Sequence, residues 1–233
     1  MREMPWRFLR AACERSLAKS AELTIELREH VPEGGGAILA VRHVHHQHDG
    51  EVLLAAIPRP VHIVAALDWT TSRASRALLG TACKQARWPA VVRDEAFSTF
   101  GAEEARRINA RAVREVLALL DEGRIVAMFP QAYPVIDNNP RPGSLPDGEL
   151  PFRSGFAQIV RLASRSGIAV PIVPVGLAYE RSQSGRWQIT ARFGPPIIES
   201  SLEPAELLDL TERTVQSLSL PSSDARARNL NKR

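Results

Sequence analysis

Four of the six histidines in this 233-residue chain fall within six positions, His43, His45, His46 and His48, and Asp49 and Gly50 follow directly. Imidazoles either ligate metals or carry protons near neutral pH. A carboxylate close by fixes the tautomer of such a ring and stabilises the imidazolium that forms when it accepts a proton. The cluster therefore admits two chemistries, a metal centre and a general-base pair.

A metal centre is the weaker fit. His43, His45 and His48 approximate the H-x-H-x-D-H string of metallo-β-lactamase-like hydrolases, but Gln47 stands where that string has aspartate. A neutral amide is a poor ligand for a hard dication. Downstream of His48 the chain offers only His62, too few histidines to complete a two-metal set or the helical HD-type phosphohydrolase site that the His48–Asp49 doublet suggests. A metal-dependent hydrolase is thus kept only as an alternative, and no metal is expected. The base pair needs nothing further: a histidine takes the proton of a hydroxyl that attacks a thioester directly. The absence of a G-x-S-x-G elbow, and of a histidine near Cys13 or Cys83 in sequence, agrees with transfer that has no covalent enzyme intermediate. His45 stands four residues before Asp49, a spacing that faces two side chains together on a helix, and His43 follows directly on a strand. Either can be the base, with His46 third.

The elements that must hold these groups alternate. Apolar runs predict strands over Ala37–Val41, Val61–Leu67, Ala90–Val92, Ile125–Phe129, Val170–Ala178 and Trp187–Phe193. Helical spacing marks Pro5–Lys19, a helix beginning at Glu51, Arg73–Ala86, Glu103–Leu120 before the stop at Gly123, and Gly155–Ser166. Strands alternating with helices imply a single α/β domain with a largely parallel central sheet flanked by helices, its site at the carboxyl ends of the strands. The expected organisation is an amphipathic helical segment over 1–30, the catalytic domain over 31–220 and a disordered tail over 221–233.

Charge narrows the partners. Residues 1–20 carry a net +3, residues 222–233 another +3, and the body between is −2, so the +4 total belongs to the ends. With 6% aromatic residues and no basic stripe in the body, nucleic acid is not an expected partner. Basic ends suit an anionic membrane surface, and no apolar run approaches the roughly 18 residues of a membrane span. Two cysteines and no secretory signal pattern predict a cytoplasmic protein, peripheral on the inner face of the cell membrane.

Four blocks in order resemble the glycerolipid acyltransferase superfamily of lysophosphatidic acid acyltransferase type. They are "AVRHVHHQHDGEVLLAAI", where the family has a strand, Asn-His, four residues and Asp; "WPAVVRD", ending at Arg93; "FPQAYPVIDNN" followed by "ELPFRSG", where the family has F-P-E-G and then L-P-F-K-x-G; and "VPIVPVGLAY". Five residues separate His43 from Asp49 and three separate His45 from it, so neither frame reproduces the family spacing. The His45 frame spells H-x-x-x-D-G, which resembles chloramphenicol acetyltransferase-like enzymes. Gln131 replaces the family Glu, Ala132 the Gly, and Pro134 the arginine of the phosphate-holding stretch. The resemblance implies transfer of a fatty acyl group from acyl-CoA or acyl carrier protein to a hydroxyl of a lysophospholipid or other lipid or alcohol acceptor, with no cofactor beyond that donor. It implies catalytic roles for His45 or His43 with Asp49, and substrate contacts at Arg93, Gln131 and Arg153, with Arg141 a further cation. The altered third block also raises a catalytically weakened lipid-binding relative as a second alternative.

Overall fold

A computed structural model describes residues 6–70, 72–136, 149–198 and 202–220. Helix α1 (Trp6–Ser20) leads directly into strand β1 (Ala21–Glu26). Strand β2 (Ala37–Val41), helix α2 (His48–Ala56), strand β3 (Val61–Ile63) and a short strand β4 (Ala65–Ala66) follow. Then come helix α3 (Arg73–Ala86), strand β5 (Ala90–Val91), the single turn α4 (Phe97–Phe100), helix α5 (Ala102–Asp121) and strand β6 (Ile125–Met128). Helix α6 (Gly155–Arg165), the long strand β7 (Ile172–Arg181), strand β8 (Trp187–Phe193) and helix α7 (Pro204–Leu218) complete it.

Six strands form one sheet in the order β1-β8-β7-β2-β6-β3, and β4 pairs with β5 in a separate two-stranded ribbon. Every pairing in the main sheet is parallel except that of β7 with β8. All five residues of β2 are 0% exposed, as a central strand covered on both faces requires. One cluster of buried side chains joins α1 and α2 to one face of the sheet, and a second joins α5, α6 and α7 to the other. The architecture is the expected single α/β domain.

Helix α2 begins at His48, three residues before the expected start, β7 runs on to Arg181, and the turn α4 is an addition; three further segments depart more widely from the sequence reading. The N-terminal helix stops at Ser20, and residues 21–26, expected within a helical segment reaching residue 30, pair with β8 from Ala21↔Trp187 to Glu26↔Arg192. The single strand expected over Val61–Leu67 divides because the chain leaves β6 after Val64 and pairs next with β5. Helix α7, not anticipated, is set by a capping box between Glu203 and Glu206, by Pro204 in its first turn, and by Leu207, Thr211 and Val215 buried at four-residue spacing. It lies so close on β7 that a Cβ on Gly176 would stand 2.4 Å from the carbonyl carbon of Leu218. The tail over 221–233 and Arg141 lie outside the described residues. Among the described residues, no helix is long and apolar enough to cross a membrane.

Candidate active site

Because β2, β6 and β3 run parallel in close register, their carboxyl ends open on the same edge of the sheet. Two residues past β2 comes His43. The first turn of α2 brings Asp49, 0% exposed, beneath it, where a helix N-terminus favours negative charge. His43 Nδ1 lies 2.8 Å from Asp49 Oδ2. The same oxygen accepts the backbone N–H of Val44 at 2.7 Å and of His45 at 2.9 Å, and Oδ1 accepts the Tyr179 hydroxyl at 2.6 Å. Surrounded by donors, Asp49 acts as an acceptor only, so Nδ1 of His43 carries the proton and Nε2 keeps its lone pair. Stacking on Phe129, with centroids 4.4 Å apart, fixes the ring.

It is the ring of His43 that meets Asp49, whereas His45 meets it through its backbone N–H. The His45 ring turns back over the start of α2, where its Nδ1 faces the N–H of Gln47 at 3.3 Å, and it packs at 4.5 Å from His48 and 6.2 Å from Tyr179. His46 stacks on His45 at 5.2 Å and, with His43, lines a cavity of about 620 Å³. The cavity runs from the dyad between α1, α2 and α3, and its far walls are apolar, including Leu9, Leu54, Ile63, Leu79 and Trp88. Cys13 also faces it. Burial, with Glu51 and Glu14 nearby, pushes that thiol up to about 11 and keeps it protonated.

Gln131 is 1% exposed and lies behind the dyad. Its Oε1 accepts the N–H of His43 at 2.8 Å, and its Nε2 donates to Leu150 O at 3.2 Å and stands 3.4 Å from Glu149 Oε1. The residue expected to border an acceptor thus spends its amide on the backbone that carries His43. Ala132, next in the turn, holds φ at +66°, a left-handed conformation that costs a residue with a Cβ roughly 1–2 kcal/mol.

Arg93 and Arg153 both reach the cavity wall, and each has a carboxylate partner. Arg93 Nε bonds Asp68 Oδ2 at 2.7 Å, its Nη1 donates to Ala132 O at 2.9 Å, and its guanidinium lies 3.8 Å from the Tyr133 ring centroid and 4.6 Å from that of Trp69. Arg153 reaches both oxygens of Glu95, at 3.2 Å and 2.5 Å. Burial works against the Glu95 charge, but the Arg153 hydrogen bonds outweigh it and hold this carboxyl below its ordinary range. Among the described residues no three His, Cys, Asp or Glu side chains are arranged to hold a metal ion.

A family model described as Acyltransferase matches residues 22–178, two thirds of the chain. The chain belongs to the acyltransferase family. No curated protein matches it. Among solved structures it is similar to the crystal structure of the 1-acyl-sn-glycerophosphate (LPA) acyltransferase PlsC from Thermotoga maritima, with 14% identity and a TM-score of 0.62. That match covers 91% of this chain and 77% of the other. At such identity the likeness establishes the shared fold.

Two parts of this acyltransferase's site escaped sequence reasoning. Tyr179 ends the apolar run "VPIVPVGLAY", and a polar-tipped aromatic at the carboxyl end of a buried strand was the available signal. Asp68 and Glu95, which neutralise the two arginines, lie 25 and 58 residues from their partners, and no local pattern links them.

Proposed function

We propose that this acyltransferase moves a fatty acyl group from a thioester, acyl-CoA or acyl carrier protein, to a hydroxyl of a lipid or other alcohol acceptor, with His43 as base and Asp49 as its orienter. The observation that carries the reading is the His43–Asp49 contact, 2.8 Å between buried partners, with His43 lining a largely apolar cavity. The acceptor O–H gives its proton to His43 Nε2 as its oxygen attacks the thioester carbonyl carbon. When the tetrahedral intermediate collapses, the C–S bond breaks and the imidazolium returns the proton to the leaving thiolate. Ester and free thiol are the products. Asp49 stabilises the imidazolium between these two transfers, and the four hydrogen bonds that it accepts hold it in place.

The acyl chain belongs in the apolar reach of the cavity, toward Leu9, Leu54 and Trp88. On the outer side of α1, Phe8 is 75% exposed, and exposed Arg15 and Lys19 fall on the same helical stripe. This face suits an anionic membrane surface and would bring the domain to a lipid acceptor.

The test is thiol release and ester formation from palmitoyl-CoA and from a palmitoyl carrier protein, across a panel of lysolipid and alcohol acceptors. Ester formation that His43→Ala abolishes supports the reading. Vesicle binding with no turnover on any acceptor identifies a lipid-binding relative instead.

A further inference from the structure

We infer that the acceptor presents its hydroxyl on an uncharged group, an alcohol, diol or glycoside, and not on one that bears a phosphate. The inference rests on the proposed function and concerns the polar wall facing His43.

Recognition of a phosphate in an enclosed site calls for cations whose charge is free to meet it. Among the described residues that line the cavity, the cationic side chains are Arg93 and Arg153. Arg93 is committed in several directions: Asp68 takes its Nε at 2.7 Å and its backbone N–H at 3.3 Å, Ala132 O takes Nη1, and two aromatic faces enclose the guanidinium. The Arg93 and Asp68 side chains are 8% and 6% exposed, so turning this guanidinium toward a ligand would strand a buried carboxylate. Arg153 grips Glu95 with both terminal nitrogens, and the Tyr133 hydroxyl meets the same carboxylate at 3.4 Å.

Among the described residues, then, each cavity-lining arginine is neutralised by a carboxylate of its own. Glu51 lines the cavity, held by the Ser16 hydroxyl at 2.8 Å and by His48 Nδ1 at 2.9 Å. A phosphate dianion reaching these arginines would have to displace Asp68 or Glu95 from them, and within the cavity it would also meet the Glu51 carboxylate. A neutral hydroxyl group meets no such opposition, and it leaves the buried ion pairs intact.

The experiment compares two acceptors with one acyl chain, monooleoylglycerol and monooleoylglycerol 3-phosphate, with palmitoyl-CoA and a palmitoyl carrier protein as donors. The full chain should use the neutral acceptor with kcat/KM about tenfold or more above that of the phosphate. Glu95→Gln releases Arg153 and should move the ratio toward the phosphate acceptor by about fivefold or more, which a merely structural Glu95 would not do. Equal or better use of the phosphate acceptor by the wild type, with the reaction still lost in His43→Ala, overturns this inference and leaves the acyltransfer reading standing. A ratio unmoved by Glu95→Gln overturns it as well. Ester formation from neither acceptor with either donor overturns both.

Discussion

Tyr179, on the long strand β7, donates its hydroxyl to Oδ1 of Asp49 at 2.6 Å across 130 residues of sequence. It is the partner that occupies the second oxygen of a carboxylate whose first oxygen holds His43 and two backbone N–H groups. Tyr179→Phe leaves that buried oxygen without its donor, at a cost of about 1–3 kcal/mol in stability. The rate should fall about tenfold, because the carboxylate can rotate away from His43. Thermal melts and single-turnover rates measured on the same preparation check both effects.

Removal of the base or its orienter should be far more severe. His43→Ala and Asp49→Asn are each expected to lower kcat by about a hundredfold or more, Asp49→Asn in part because an amide can hold the wrong tautomer of His43. His45→Ala keeps the backbone N–H that reaches Asp49 and should lose less than about tenfold. Equal, mild losses at all three positions would reject the His43–Asp49 assignment.

The chain has two tyrosines, and both should stay silent in an alkaline titration of the native protein. Burial raises Tyr133 to about 12, and burial with the Asp49 charge drives Tyr179 higher still. Above the ordinary phenol range near pH 10, the unfolded chain gives up two protons that the native state retains. Stability is therefore fully present below about pH 10 and falls above it, by about 1.4 kcal/mol per pH unit for each group still protonated in the native state. Absorbance at the tyrosinate band should appear together with loss of structure. Tyrosinate forming near pH 10 in folded protein would contradict the burial of both rings.

Gln131→Glu restores the residue type usual in the third sequence block, yet it should impair this protein. The Nε2 that donates to Leu150 O and faces Glu149 Oε1 would become a carboxylate oxygen opposed to a carbonyl and a second carboxylate. At pH 7 the loss should be about 1–3 kcal/mol. The new carboxyl would be pushed up by its surroundings. The deficit should shrink as pH falls toward 5 and the group protonates, and denaturant midpoints at the two pH values measure it.

Strong local patterns made much of the fold legible. The strand bounds Ala37–Val41 and Trp187–Phe193 and the helix Arg73–Ala86 are those that the sequence predicts. The signal for the edge strand β1 was present but unused: Ala21, Leu23 and Ile25 alternate with Glu22, Thr24 and Glu26 over six residues that directly follow a helix. The signals for α7, its capping box and four-residue spacing, were present but unused. At the site, the cluster and Asp49 were visible and the choice between His43 and His45 was not. The helical spacing of His45 and Asp49 does produce a turn, with Asp49 N–H on His45 O at 3.1 Å, but stacking against His48 and Tyr179 carries the His45 ring off the carboxylate. That packing depends on a tyrosine more than a hundred residues away.

Helix α1 has two faces, and substitutions can separate their roles. Its inner face buries Cys13 and Leu17 and places Leu9 and Cys13 on the cavity wall, so removing the whole helix would open the site as well as any membrane contact. On the outer stripe, Phe8, Arg15 and Lys19 are exposed and leave the cavity untouched. Each basic residue close to an anionic bilayer contributes about 1 kcal/mol, so reversing Arg15 and Lys19 to Glu should weaken binding to phosphatidylserine vesicles by at least about thirtyfold. Turnover with a short-chain, water-soluble thioester and alcohol should stay within about twofold of wild type. Sedimentation with neutral and anionic vesicles, run beside that assay, gives the answer: unchanged vesicle binding assigns α1 to packing alone, whereas selective loss on the anionic vesicles makes its outer face the route to the bilayer.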